Sequence, residues 1–376
     1  MWNRPPAANL SRRIASFARV DARTVMIVAL LFLGSNVLVE SVARVTIELN
    51  SGQKASLSGS CIWDCAWYAS IVTEGYHVEP HDDGAANWEF FPAFPLVASG
   101  LKLLLHVSPQ SALVITSKAF LLLALFAFVK IIEQEIGPNS GLLAGFVLAF
   151  NPYIIYAHAG YTEPMYFFLT TVAFISLNRK NWLTSGIFGG ILSATRFVGV
   201  GFVLSYLTMF PKVSLKHDRS WPPYLLGLLI CPLGLALFMT YLYYLVGDAF
   251  AFKNVQFAWG HRGLPNPIVY LETGLWAGGW PRYFAITGIF SFMMIAWLAF
   301  RRRFQYAVFL AIVTLPAVSI GVDSLPRYVW WQMPLLLGIV ELLSKNKLIC
   351  AVYLITSVGW AVFMTVSWFG GQTFVF

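Results

Sequence analysis

Three groups of side chains in this sequence could handle a hydroxyl, a sugar and a phosphate, and each lies against apolar surroundings. The first centres on Asp64, in Cys61-Ile62-Trp63-Asp64-Cys65-Ala66-Trp67-Tyr68, which runs on to Gly75-Tyr76. This segment reads as a short amphipathic helix. Trp67 and Tyr68 follow Asp64 by three and four residues and so share its face, Ile71 extends that face, and Gly75 supplies a stop. Such a helix suits a membrane interface, where Trp and Tyr concentrate. Asp64 is then either a carboxylate poised beside rings or a capping group turned to water. The second group is Glu163 and Arg196, ionisable residues in or at the ends of apolar runs. A charge at the centre of a membrane helix costs about 2.5–3.5 kcal/mol on insertion scales, so such residues face a bundle interior or a wet cavity. Arg196 could pair with Glu163, bind an anion or snorkel to the interface; Glu163, next to Pro164, also suits a helix start. The third group mixes amide, aromatic and basic residues: Gln256, Trp259, His261 and Arg262. That mixture fits a phosphate-and-sugar head group, and Arg262 and Arg327 could each grip a phosphate through two bonds.

The elements that position these groups must live in lipid. Of the 376 residues 58% are apolar and only 11% charged, with a mean hydropathy of +0.68. Soluble domains carry roughly 25% charged residues, so a water-exposed surface could not be covered. A helix needs about 20 residues to cross a hydrocarbon core of about 30 Å. Apolar runs near 24–43, 90–107, 111–132, 141–158, 162–177, 186–210, 223–246, 283–300, 304–322, 328–343 and 348–368 give about eleven crossings, within a range of nine to twelve. The expected fold is all-α and polytopic, one integral membrane domain over 1–376 with an amphipathic loop helix on its outer face. The first run starts too far into the chain, and is too long, for a signal peptide, and reads as a retained crossing.

Basic residues orient the chain. Arg4, Arg12, Arg13, Arg19 and Arg23 make 1–23 a basic cytoplasmic tail, and the clusters Lys212–Lys216–Arg219, Arg301–Arg302–Arg303 and Lys345–Lys347 fall on the same side. The net charge of +8 is therefore mainly a topology signal, scattered between apolar spans rather than gathered into a nucleic-acid surface. Two sizeable outer loops follow, 44–89 and 247–282, and they carry most of the polar candidates. One stretch conflicts: strict alternation puts Glu163 inside and Asn178–Lys180 outside, against the charge rule. Asn151–Pro152 and Glu163–Pro164 interrupt it, and broken helices in membranes line cavities. Cys61 and Cys65 lie one helical turn apart and could pair or stay free; they lack the further ligands of a zinc site.

The motifs, taken in order, resemble the PIG-V/Gpi18 mannosyltransferase-like group, in particular its bacterial branch, within the GT-C class of polyprenyl-phosphate-sugar glycosyltransferases. The matching pieces are Trp63-Asp64-Cys65-Ala66-Trp67-Tyr68 with Gly75-Tyr76, Phe90-Phe91-Pro92-Ala93-Phe94-Pro95, and Asn151-Pro152 with Ala159-Gly160-Tyr161-Thr162-Glu163-Pro164. Ala194-Thr195-Arg196 with Gly199, Val255-Gln256 with Trp259-Gly260, and Leu325-Pro326-Arg327-Tyr328 with Pro334 continue the series over about 63–340. Each is weak alone; six in order are hard to obtain by chance.

The resemblance implies an inverting hexosyltransferase, mannose being the expected sugar, that uses a polyprenyl-phosphate sugar donor and a lipid, glycan or protein acceptor at the non-cytoplasmic face. By analogy Asp64 is the general base and Glu163 a second acidic group, while Trp67, Tyr68, Arg196, Gln256, Trp259, His261, Arg262, Arg327 and Tyr328 line the donor and acceptor sites. No cofactor is certain, and a divalent metal is possible. Metal dependence stays open, since Asp82–Asp83 are adjacent and equally suit a polar loop. The Phe90–Pro95 form and the chain length favour a bacterial plasma membrane over the endoplasmic reticulum, which removes a glycosylphosphatidylinositol intermediate as a secure acceptor. A transporter or lipid-linked-sugar flippase without transferase activity is the alternative, because broken helices and intramembrane charges suit it too. A non-catalytic membrane scaffold is a third reading.

Overall fold

Helix length, rather than apolar content, decides which segments can span a bilayer alone. The computed structural model describes residues 21–51, 56, 58–213, 221–259, 266–320 and 324–372. Its helices are α1 (Ala22–Ser51), α2 (Asp64–Glu74), α3 (Ala93–Leu105), α4 (Pro109–Glu135), α5 (Gly141–Ala149), α6 (Glu163–Asn178), α7 (Trp182–Ser193), α8 (Phe202–Leu207) and α9 (Trp221–Ile230). Then come α10 (Leu233–Val246), α11 (Ala251–Asn254), α12 (Pro267–Ala277), α13 (Gly279–Phe300), α14 (Phe304–Ile320), α15 (Leu325–Trp330), α16 (Met333–Leu343) and α17 (Lys347–Phe369). No strand occurs among the described residues.

The all-α expectation holds, but the expected eleven crossings do not. Among the described residues five helical stretches are long and apolar enough to cross a membrane: Ala22–Asn50, Pro109–Glu135, Trp221–Val246 (α9 and α10 together), Gly279–Phe300 and Lys347–Phe369. The other expected spans are shorter apolar helices such as Ala93–Leu105, Trp182–Ser193 and Met333–Leu343. At about 1.5 Å per residue, a 13-residue helix such as α3 reaches only about 20 Å, well short of the hydrocarbon thickness. Hydropathy reads through the breaks that end these helices, because residues in a buried break are as apolar as those in a helix. The chain is a multi-pass membrane protein built from five long helices and a set of shorter ones packed against them.

Side-chain caps start three of the long helices. Asp21 Oδ1 accepts from Thr24 N at 2.7 Å, Ser108 Oγ from Ser111 N at 3.2 Å, and Asn346 Oδ1 from Leu348 N at 2.9 Å. Ion pairs set their directions. Lys130 meets Asp21 at 2.9 Å and Lys118 meets Glu40 at 2.6 Å, so α4 runs antiparallel to α1 and starts where α1 ends. The far end of α4 carries Glu135, which bonds Asn178 at 2.9 Å and Tyr306 at 3.1 Å and pairs with Arg303 at 3.4 Å. Glu341 joins the same end through Arg301 at 2.9 Å.

These contacts resolve the conflict around Glu163. Ala93 N donates to Ala194 O at 2.9 Å, so α3 begins beside the Arg196 turn and then leads to the start of α4 at the same end of the bundle. It does not carry the chain across. Glu163 therefore lies with Asp64 and Asn178 with Arg303, as the charge rule requires. A second misreading offsets the first. The single span expected at 186–210 is a hairpin, with the Tyr206 hydroxyl donating to Trp182 O at 3.1 Å and Arg196 at its turn. Small residues permit the tight packing here: a Cβ on Gly186 would lie 2.3 Å from Gly227 O.

A buried charge chain as candidate active site

The first loop is folded before it meets the helices. Cys61 and Cys65 form a disulfide, which settles the pairing left open by their spacing. It closes over Trp63, whose φ of 59° is costly for a residue with a Cβ. Asp64 is the next residue and opens α2, where a carboxylate is favoured by the helix dipole. Tyr161 ties this turn to the broken segment by donating its hydroxyl to Ile62 O at 3.1 Å. Gly160 lets the two approach: its φ is +79°, and a Cβ there would sit 2.5 Å from Cys65 Sγ.

Residues 151–162 and the short helix α15 hold each other. Asn151, fully buried, donates through Nδ2 to Trp330 O at 2.7 Å and accepts Tyr153 N at 2.8 Å; Trp331 Nε1 donates to Tyr153 O at 3.0 Å. Arg327 on α15 is thereby placed against Asp64 and Glu163. Its Nη1 donates to Asp64 Oδ2 at 2.7 Å, and its Nε donates to Glu163 Oε1. Arg196 Nη1 donates to that same oxygen at 2.8 Å. The result is a chain of alternating charge, Asp64–Arg327–Glu163–Arg196, assembled from four separate parts of the sequence.

Aromatic faces enclose it. The Arg327 guanidinium lies 4.6 Å from the Tyr161 ring centre and 4.8 Å from that of Tyr156, and Arg196 lies 4.6 Å from Tyr328. Exposure then grades along the chain. The Glu163 side chain is 0% exposed and Arg327 5%, whereas Arg196 is 16% and Asp64 32% exposed. Asp64 Oδ1 takes no hydrogen bond among the described residues, so one carboxylate oxygen is available at the accessible end.

The remaining candidates divide. Tyr68 lies near the charged groups, buried against Phe90 and Phe94 at ring distances of 4.9 and 5.2 Å, with its hydroxyl beside Thr162. Trp67 stacks on the same Phe90 at 6.1 Å and also meets His77 and His81 at 6.1 and 5.6 Å, so the two aromatic residues of the motif share one ring. Gln256 reaches this region through a satellite core of Phe91, Phe238, Leu242 and Phe252, which pins the start of the second loop to the first. Trp259 closes the 3₁₀ turn Val255–Trp259, but its side chain, like His261 and Arg262, lies outside the described residues.

Glu89 joins the site without having been singled out by sequence. The turn Asn87–Glu89 is held by Asn87, which donates to Gly75 O at 3.0 Å and accepts His77 N at 3.0 Å. Burial pushes the Glu89 carboxyl up to about 7, with the Gln256 side chain in hydrogen-bonding reach and the charges of Asp64, Arg196 and Arg327 felt at longer range. Tyr156 was likewise unmarked; nothing separates its ring from interfacial aromatics until Arg327 is seen against it. No group of three or more His, Cys, Asp or Glu suited to a metal occurs among the described residues.

An all-α multi-pass membrane protein with paired acids and arginines buried at one end of its helices narrows the class to membrane enzymes and carriers of charged or lipid-linked cargo. The chain matches the family described as Mannosyltransferase (PIG-V) over residues 25–308, most of its length, and belongs to that family. The match takes in Asp64, Glu89, Glu163, Arg196 and Gln256, and ends before Arg327. Among similar proteins, the GPI alpha-1,6-mannosyltransferase 2 of Cricetulus griseus is 25% identical over 279 residues, covering 63% of this chain and 55% of the relative. That of Mus musculus is 28% identical over 202 residues, 48% of this chain and 40% of the relative. The Homo sapiens protein is 26% identical over 231 residues, 57% and 45% respectively. The chain thus spans about half the length of the curated relatives it matches. These relatives are mammalian, and the bacterial branch expected from Phe90–Pro95 draws no support from them.

Proposed function

We propose that this protein transfers a hexose, mannose by family, from a polyprenyl-phosphate-linked donor to a hydroxyl of a lipid, glycan or protein acceptor. The observation that carries the reading is the graded charge chain: an accessible carboxylate at one end, two guanidiniums behind it and a buried carboxylate between them. Asp64 accepts the acceptor hydroxyl proton on its unbonded oxygen as the new bond to the anomeric carbon forms. The bond from that carbon to the phosphate oxygen breaks on the opposite face, inverting the centre, and the electron pair leaves on the phosphate. Arg196, whose other N–H groups make no hydrogen bond among the described residues and whose head is part-exposed, is the guanidinium able to meet that developing charge. Arg327 is more confined, bonded to two carboxylates and packed on rings, and acts by holding Asp64 in position. Glu163 holds both arginines. The disulfide supports a non-cytoplasmic location for this end, since such bonds persist in oxidising compartments.

The test is sugar transfer by purified full-length protein from synthetic polyprenyl-phosphate donors to several acceptor classes. Asp64→Asn should lower the rate by about 10²–10⁴, the usual contribution of a positioned base. Absence of product with every donor and acceptor, or an unimpaired Asp64→Asn, would overturn the reading. The broken, charge-bearing segment 151–163 also suits a carrier. Movement of a lipid-linked sugar across proteoliposomes, with no transfer product, would favour that second reading.

A further inference from the structure

A polar cavity lies behind the wall that carries Tyr156 and Tyr161. It has a volume of about 260 Å³ and is bounded by α1, the start of α4, the end of α17 and the broken segment. Arg44, Lys118, Glu40 and His158 give it polar walls, and Val39, Ala43 and Phe369 an apolar side. Ile155 and His158 face this cavity, while Tyr156, between them in sequence, packs on Arg327. The cavity and the charge chain are therefore back to back.

His158 forms part of the cavity wall. It is 3% exposed; its Nε2 lies 3.2 Å from Ser35 Oγ, and its Nδ1 has no hydrogen-bond partner among the described residues. Ser35 is fully buried, and its hydroxyl is hydrogen-bonded to that Nε2. Nδ1 has almost no accessible surface, so His158 shapes the wall, and the charged side chains are what the cavity offers a ligand. Two cations line the cavity. Lys118 is bonded to Glu40 at 2.6 Å, and Arg44 makes no ion pair among the described residues, so the wall carries one net positive charge. Arg44 also lies seven residues, about 10 Å, before the end of α1, and Phe369 is the last residue of α17. The cavity is thus near a membrane face, at the depth of lipid head groups.

We propose that this cavity binds the phosphate ester of a membrane lipid. The phosphate oxygens accept from Arg44 and Lys118, and the first carbons of the chain lie along Val39, Ala43 and Phe369. The site is independent of the transfer reaction proposed above. Its chemistry is shared by an anionic glycerophospholipid and a polyprenyl phosphate.

The experiment is native mass spectrometry of purified full-length protein loaded with phosphatidylglycerol, polyprenyl phosphate or diacylglycerol. Arg44→Gln with Lys118→Gln should reduce retention of a phosphate lipid at least about fivefold, and Arg44→Lys with Lys118→Arg should preserve it. Loss confined to phosphatidylglycerol or to polyprenyl phosphate identifies the source, and either supports the site. Equal retention in wild type and the glutamine variant, or equal retention of diacylglycerol, overturns it. Should the double variant fail to fold, Arg44→Gln alone decides, because Arg44 is exposed and unpaired.

Discussion

Three carboxylates approach the two arginines, and their neighbours give them different tasks. Glu163 has two guanidiniums on one oxygen and no exposure, so it is a fixed counter-ion. Asp64 has one arginine and a free oxygen. Glu89 faces an amide, and its carboxyl is raised to about 7 by burial, which makes it the group that titrates near neutrality. If Glu89 must be ionised to order the site with Gln256, transfer should rise through about pH 7, and Glu89→Gln should flatten that limb. Stability moves the opposite way. A carboxyl whose folded value is raised contributes stability below its unfolded value of 4.5 and loses it as pH rises through about 7. Glu89→Gln should therefore gain melting temperature over wild type at about pH 8 and not at about pH 5. An unchanged pH–rate profile together with equal melting at both pH values would remove Glu89 from the site. Asp64, Arg196 and Arg327 were legible in the sequence because a charge among apolar residues is expensive and invites a reason. Glu89 was not, because it stands two residues past the polar run His77–Asn87, at the end of a loop just before the apolar stretch from Phe90, where a carboxylate costs little.

The element that delivers Asp64 is the eleven-residue helix α2, too short to be stable alone in water. Its start is held by the Cys61–Cys65 bond, by the Tyr161 hydroxyl on Ile62 O, and by the fit of Gly160 against Cys65. Closing so short a loop is worth about 2 kcal/mol on the chain-entropy account. Replacing Cys61 and Cys65 by Ser should lower the melting temperature by a few degrees. Transfer should fall about tenfold or more below that melting point, because Trp63 can relax its left-handed conformation and swing Asp64 off Arg327. Intact activity in the double variant would show that the other two contacts suffice. The helix and its Gly75 stop were legible because they are local, but the face was not: the buried side is Cys65, Tyr68, Ala69 and Val72. The spans at 90–107 and 186–210 misled because what places the start of α3 and folds the Arg196 turn back is tertiary: Ala93 bonding to Ala194, and Tyr206 reaching Trp182.

At the scale of the molecule, charge is sorted to two ends of one helical bundle. One end gathers Glu135, Arg301, Arg303 and Glu341; the other gathers Asp64, Glu163, Arg196 and Arg327. The two ends of α6 alone, Glu163 and Asn178, lie about 22 Å apart, so the groups are separated by most of a hydrocarbon core. Apolar side chains such as Leu30, Val37, Leu237 and Ile355 stand exposed between them, as lipid-facing residues would. If the Arg303 end is cytoplasmic, as its basic residues argue, the Asp64 end faces the oxidising side, and the disulfide and the lipid-sugar chemistry belong together. Single cysteines test the arrangement directly. Asp82 is exposed in the first loop, and Lys347 is exposed at the start of α17, next to the Arg303 end. In a Cys350→Ser background, Asp82→Cys should react with a membrane-impermeant maleimide in sealed cells. Lys347→Cys should react only after permeabilisation. The reverse pattern would invert the molecule and place Asp64 in a reducing compartment. Labelling of both from one side would break the two-ended arrangement itself, since no path through the five long helices could then separate the charge chain from the basic cluster.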